Sequence, residues 1–205
     1  MPLPTARGFA ILGKTAAEEI PMKWMIASDI HGSAYYCRML LDALQRERAD
    51  RLLLLGDLLY HGPRNDLPRD YAPKAVLAML NEQKERILCV RGNCDTEVDQ
   101  MVLDFPILAD YGALYAANRL IYATHGHRFN RQSPPPLQHG DILLHGHTHV
   151  PDWTVFGQEN LCLNPGSVSI PKAGSAHSYM TLENAAFRWY DLESGACYHM
   201  ELLEQ

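Results

Sequence analysis

Five short apolar runs in this chain each break off into groups that seek a metal, and this repetition constrains the fold more than any other feature. Trp24–Ser28 runs into Asp29-Ile30-His31-Gly32, and Leu52–Leu55 into Gly56-Asp57. Ile87–Val90 leads to Gly92-Asn93, Leu120–Thr124 to His125-Gly126-His127, and Ile142–Leu144 to Gly146-His147-Thr148-His149. Runs so short and so continuously apolar read as strands covered on both faces. In sheets built from βα units, ligands gather beyond the carboxyl ends of the strands, which is where all five motifs fall.

The intervening segments set the fold class. Cys37, Leu40, Leu41, Leu44 and Arg48 share one face of a predicted helix, with the arginine snorkelling. Pro73 suits the first turn of a second helix. Helices become scarce after residue 105. Trp153–Phe156, Asn160–Leu163, Tyr179–Leu182, Phe187–Tyr190 and Cys197–Leu202 read as short strands between turn signals. Pro134, Pro135 and Pro136 make 131–136 a surface loop. A βα-rich first half and a β-rich second half predict an α/β (α+β) architecture of two sheets packed face to face with helices outside.

Residues 1–21 differ from the rest. They hold three prolines and two glycines, show no sustained period, and are expected to be a loosely ordered extension, with the fold running from Met22 to residue 205. With 205 residues, 47% of them hydrophobic and 20% charged, the chain suits one domain with a short appendage. The net charge of −6 argues against a protein that coats nucleic acid, though bound divalent cations would reverse the sign locally for a small phosphate-bearing substrate. The five cysteines form an odd set without a CxxC pair, as expected of reduced thiols. No apolar run reaches membrane-spanning length, and Phe9-Ala10-Ile11-Leu12 is too short for a signal-peptide core, so the expected location is the cytoplasm.

Taken singly, each motif has an ordinary explanation. Asp29 could cap a helix or start an Asx turn, Asp57 after glycine is a common turn, and His125 could be a satisfied imidazole. Five in order, each at a strand end, are hard to explain that way. Together they supply seven side chains suited to two divalent ions: Asp29, His31, Asp57, Asn93, His125, His147 and His149. The spacing of two within Asp29/His31 and His147/His149 predicts that each pair points one way from extended backbone. Carboxylate, imidazole and amide donors suit Mn²⁺, Fe²⁺, Zn²⁺, Co²⁺ or Ni²⁺ better than a structural zinc of the cysteine type.

This ordered set resembles the calcineurin-like metallophosphoesterase superfamily from Met22 onward. Four segments resemble the small bacterial YfcE-type phosphodiesterases more closely: Ser28–Ser33, His61-Gly62-Pro63-Arg64-Asn65, Val90–Asp95 and Asn164–Lys172. The resemblance implies a four-layer αββα sandwich of two mixed sheets, a homo-oligomer, and two divalent ions, most often Mn²⁺. It implies one ion held by Asp29, His31, Asp57 and His149, and a second held by Asp57, Asn93, His125 and His147. Asp57 then bridges, and a hydroxide between the ions attacks phosphorus. Arg64 and Arg91 become candidates for holding phosphate oxygens, with loop-bracing ion pairs as the alternative for both. Asn93 and Cys94 are the candidates for direct participation in catalysis. Many superfamily members have histidine where this chain has Cys94, and a thiol is a poorer acid for a departing alkoxide. The expected function is therefore hydrolysis of a small phosphodiester, away from membranes and nucleic acid. Two alternatives remain open from the sequence. One is a phosphomonoesterase, and the other a non-catalytic scaffold similar to the retromer subunit Vps29.

Overall fold

The computed structural model describes residues 22–203; the expected N-terminal extension, 1–21, lies outside them. Two mixed sheets face each other. The first has six strands in the order β11-β10-β9-β1-β2-β3. These are Cys197–Leu202, Ala186–Asp191, Ser178–Glu183, Trp24–Ala27, Arg51–Leu54 and Ile87–Cys89. The second has five, in the order β4-β5-β6-β8-β7: Gly112–Ala116, Arg119–Ala123, Ile142–Leu144, Asn160–Asn164 and Asp152–Phe156. β1, β2 and β3 run parallel, as do β5, β6 and β8, and the remaining pairs are antiparallel.

The leucine run of β2 shows why the strands are apolar on both faces. Leu52 and Leu54 belong to one core with Leu40, Leu44 and Leu80 of the helices, whereas Leu53 and Leu55 belong to another with Ile121, Leu144 and Trp189 between the sheets. Period-two alternation thus divides one run between two cores. Helix α1 (Ala34–Arg46) begins at Ser33, whose hydroxyl accepts the Tyr36 N–H, and α2 (Pro73–Asn81) begins on proline as expected. A short α3 (Glu97–Gln100) carries a capping box between Thr96 and Asp99.

The sandwich of two mixed sheets is the expected architecture, and two details differ from expectation. Arg48 lies beyond the end of α1 with φ 51°, exposed, so it does not snorkel along the helix. β4 goes unforeseen because Ala113-Leu114-Tyr115-Ala116 is an edge strand paired only with β5, without the continuous apolar run that marks the inner strands. The helices lie on the six-stranded sheet. Over the five-stranded sheet the outer layer is loop, with Phe129 packed edge-on to Tyr122 and the Gln138 carbonyl accepting from Asn160. Among the described residues, no helix is long and apolar enough to cross a membrane.

Candidate metal centre

The carboxyl ends of β1, β2, β3, β5 and β6 open onto one edge of the sandwich, and the seven expected donors meet there. Asp57 stands in the middle: its Oδ2 is 3.7 Å from His31 Nε2 and 3.5 Å from His125 Nε2. On one side Asp29 Oδ1 lies 3.2 Å from His149 Nε2 and 3.5 Å from His31 Nε2. On the other, His125 Nε2 lies 3.0 Å from Asn93 Oδ1 and 3.2 Å from His147 Nδ1. Asp29, His31, Asp57, His125 and His149 are buried, while Asn93 is exposed and His147 half-buried.

The backbone achieves this convergence differently from the expected extended pairs. Asp29, His31, Asp57, His147 and His149 all have left-handed φ, between 49° and 66°. Alternating left-handed residues, rather than pleated strand, turn both members of each pair inward. Asp and His tolerate this region better than most residues. Each such residue costs about 1–3 kcal/mol, and such strain clusters at functional sites.

The imidazoles are oriented from behind. The carbonyls of Tyr60, Leu55 and Ile170 accept from Nδ1 of His31, His125 and His149 at 2.7, 2.6 and 2.6 Å. That fixes the tautomer, so each Nε2 presents a lone pair to the centre. With both rings neutral, His31 Nε2 and His149 Nε2 face each other at 3.2 Å as two acceptors. Asp29 Oδ1 is buried and accepts no hydrogen bond among the described residues. A nest of acceptors with no donor is unfavourable unless a cation sits within it. The donor set therefore fits the divalent ions expected of it.

The charges agree. Burial opposes ionisation of Asp29 and Asp57, but the neighbouring histidines outweigh it and hold both carboxyls below their usual range. Burial likewise opposes a charge on His125, yet Asp57 and Asp29 lift it to about 9. Burial, with His125 alongside, drives His147 down to about 4. Burial and the carboxylates of Asp57 and Asp95 push the Cys94 thiol up.

Several supporting residues escaped the sequence reading. Asp95 accepts three backbone N–H bonds, from Asp57 and Gly92 at 2.8 Å each and from Leu58 at 2.9 Å. Asp57 Oδ1 returns the favour by accepting the Cys94 N–H at 2.8 Å. The two motif loops are thus pinned to each other. Ser167 and Ser169 donate to the Asp29 carbonyl at 3.0 and 3.1 Å, and Asn164 donates to the Gly146 carbonyl at 2.8 Å. These contacts give the Asn164–Lys172 segment its role as a buttress. Only the Asp at position 95 beside Cys94, and the Ser spacing of two, hinted at it.

Glycine at position 92 is required by close approach. A Cβ there would run into the Asp57 amide and side chain. A Gly92→Ala protein is expected to bind less metal and lose about 10²-fold in turnover, since displacing a site residue by about 1 Å costs that much. Elemental analysis beside a rate measurement checks this. Near-wild-type values for both would show that the Asp57 loop tolerates the shift.

A cavity of about 390 Å³ opens over the donors. Arg64 and Lys172 line it from the 61–65 and 165–175 loops, and Cys94 and Thr148 are also on its lining. Lys172 had no assigned role from sequence. Arg91 does not line the cavity: its guanidinium reaches the Asp95 carbonyl at 3.2 Å and Glu97 at 3.3 Å. That is the loop-bracing alternative.

A family model described as the calcineurin-like phosphoesterase superfamily domain matches residues 22–186, and the chain belongs to that superfamily. It is an enzyme of the phosphoesterase class, for which divalent metal ions are implied. It is 47% identical over 163 residues to phosphodiesterase YfcE of Escherichia coli strain K12, covering 80% of this chain and 88% of that one. The solved structure of that E. coli phosphoesterase superposes with a TM-score of 0.85 at 43% identity, covering 89% of this chain and all of that one. Vps29 from Cryptosporidium parvum shares the fold at a TM-score of 0.58 and 18% identity, covering 91% of this chain.

Proposed function

We propose that this chain hydrolyses small phosphodiesters with two divalent cations, Mn²⁺ foremost and Fe²⁺, Zn²⁺, Ni²⁺ or Co²⁺ as alternatives. Asp29, His31, Asp57 and His149 hold one ion, and Asp57, Asn93, His125 and His147 the other. The observation that carries the reading is the convergence of acceptors without donors, above all Asp29 Oδ1 and the facing Nε2 atoms of His31 and His149. Bound divalent ions lower the pKa of water to supply a nucleophile and neutralise charge on the phosphoryl oxygens.

The remaining work falls to the chain itself. Asp57 keeps the two halves of the donor set in register through its contacts with His31, His125 and the Cys94 N–H. Arg64 and Lys172 supply positive charge above the donors, Arg64 suited to two phosphate oxygens and Lys172 to a single point charge. Arg91 holds the Asn93 loop in place. The identity to a phosphodiesterase points to diesters, and the reading extends to a cytoplasmic homo-oligomer whose substrates are small molecules rather than nucleic acid. Turnover of a panel of diesters, cyclic nucleotides and monoesters by metal-reconstituted protein tests it. Absence of diester turnover at full metal loading would contradict it.

Cys94 sets a more specific expectation. Without an imidazole at this position, a leaving group departs with little protonation. Rates should fall steeply as the leaving group becomes more basic, and aryl diesters should outperform alkyl monoesters. Cys94→His should flatten that dependence, since general acid help contributes roughly 10²–10⁴-fold. A slope unchanged in Cys94→His, or alkyl monoesters turned over by the wild type as fast as aryl diesters, would remove Cys94 from this account.

A further inference from the structure

The metal cavity has an apolar neighbour that no part of the proposed chemistry uses. Cys94 forms part of the wall of both. Behind it lies a second open cavity of about 490 Å³, lined by Leu59, Tyr60, Tyr71, Leu77 and Val102, with Lys74 and Asp99 also on its lining. Tyr60 and Val102 are exposed, at 43% and 46%, although both are large hydrophobic side chains beside a polar site. The aromatic wall is built and not loose. Tyr60 stands edge-on to His61 at 4.8 Å, and His61 edge-on to Tyr71 at 5.1 Å. The Tyr60 carbonyl also accepts from His31, which ties this wall to the donor set by one hydrogen bond.

The opposite flank differs in kind. The cavity next to His147 is lined by Asn130, Arg131, Gln132 and Asp152 together with Val150 and Pro151, and Arg131 is paired to Asp152 at 3.6 Å. A phosphodiester carries two arms on one phosphate. A phosphate over the donors would therefore have an apolar, aromatic recess on the Cys94 side and a polar, charged one on the His147 side.

We propose that the Leu59–Tyr60–Tyr71–Leu77–Val102 recess is a subsite for one arm of the substrate, and that this arm is a flat aromatic ring, an aryl group or the face of a nucleobase. Rings suit this lining because they present a face to Leu77 and Val102 and an edge to the tyrosines, and such aromatic contacts add to simple burial. The proposal rests on the diesterase reading and narrows its substrate class to diesters with one aromatic arm.

Binding of phenylphosphonate and methylphosphonate to Mn²⁺-loaded protein, measured by calorimetry, tests this without turnover. Neither probe has a leaving group, so leaving-group basicity does not enter. Phenylphosphonate should bind the wild type about 10-fold more tightly, the return on burying a ring at about 25 cal/mol per Å². The preference should collapse towards unity in Tyr60→Ala, which opens the wall, and in Val102→Asp, which charges it. Both positions are exposed, and melting temperature verifies folding in each. Arg131→Ala, on the other flank, should keep the wild-type ratio. A ratio unchanged in both recess variants, or lost in Arg131→Ala instead, overturns the proposal. Wild-type protein that prefers phenylphosphonate yet hydrolyses no diester would contradict the diesterase reading and leave the subsite standing.

Discussion

Asp57→Asn protein is expected to lose about 10³-fold or more in phosphodiester turnover while keeping its fold. Asp57 Oδ2 is the carboxylate oxygen that reaches both His31 Nε2 and His125 Nε2. Its charge serves both halves of the donor set, and a bound metal pair supplies several kcal/mol of transition-state stabilisation. At about 1.4 kcal/mol per tenfold, losing even part of that amounts to the stated factor. The amide is isosteric and can still accept the Cys94 N–H, so the melting temperature of the apo protein should move little. Metal content should fall together with the rate. An active Asp57→Asn protein with a full complement of metal would end the assignment of Asp57 as the bridge.

Asp95→Asn should show the second large effect, and it should appear in stability as well as in rate. Asp95 Oδ2 accepts from Asp57 and Gly92, and Oδ1 from Leu58. An asparagine can keep its oxygen towards the first two, but its NH₂ then confronts the Leu58 N–H. A stranded buried donor costs about 1–3 kcal/mol. Burial pushes the Asp95 carboxyl up, against the pull of its N–H partners, so removing the charge recovers part of that cost. The net loss is expected near 2 kcal/mol, or about 4–8 °C in melting temperature for a domain of this size. Turnover should drop about 10²-fold, because the loops carrying Asp57 and Asn93 lose their shared anchor. Thermal melts and rates at saturating metal measure the two effects separately. An unchanged melting temperature would show that the three N–H groups find other partners.

Much of this arrangement is legible in the sequence because the strands are buried on both faces. Leu52–Leu55 and Ile142–Leu144 announce themselves by continuous apolarity, and each gives way to a short stretch of glycine and metal-seeking side chains. That is enough to place Asp29, Asp57, Asn93, His125 and His147 at one edge of the sandwich. Half-exposed β4 lacks that signature. The left-handed backbone at Asp29, His31, Asp57, His147 and His149 is invisible for a different reason: these residue types carry no requirement for positive φ, as glycine would, and the strain is imposed by packing around them.

Side-chain commitments are also opaque in one dimension. Arg64 and Arg91 look equivalent in the sequence, each in a loop following a strand. Only the three-dimensional placement of Glu97 and of the Asp95 carbonyl distinguishes Arg91 as a brace. The same holds for Ser167, Ser169 and Asn164, far along the chain from the Asp29 and Gly146 carbonyls to which they donate.

The central claim is that the seven donors hold two cations and that phosphodiester hydrolysis depends on both. Titrating Mn²⁺ into metal-stripped protein, with bound metal and diester turnover followed on the same samples, tests it most directly. The account predicts saturation at two ions per chain, with turnover appearing as the second site fills. Saturation at a single ion, or full turnover at one equivalent, would contradict it.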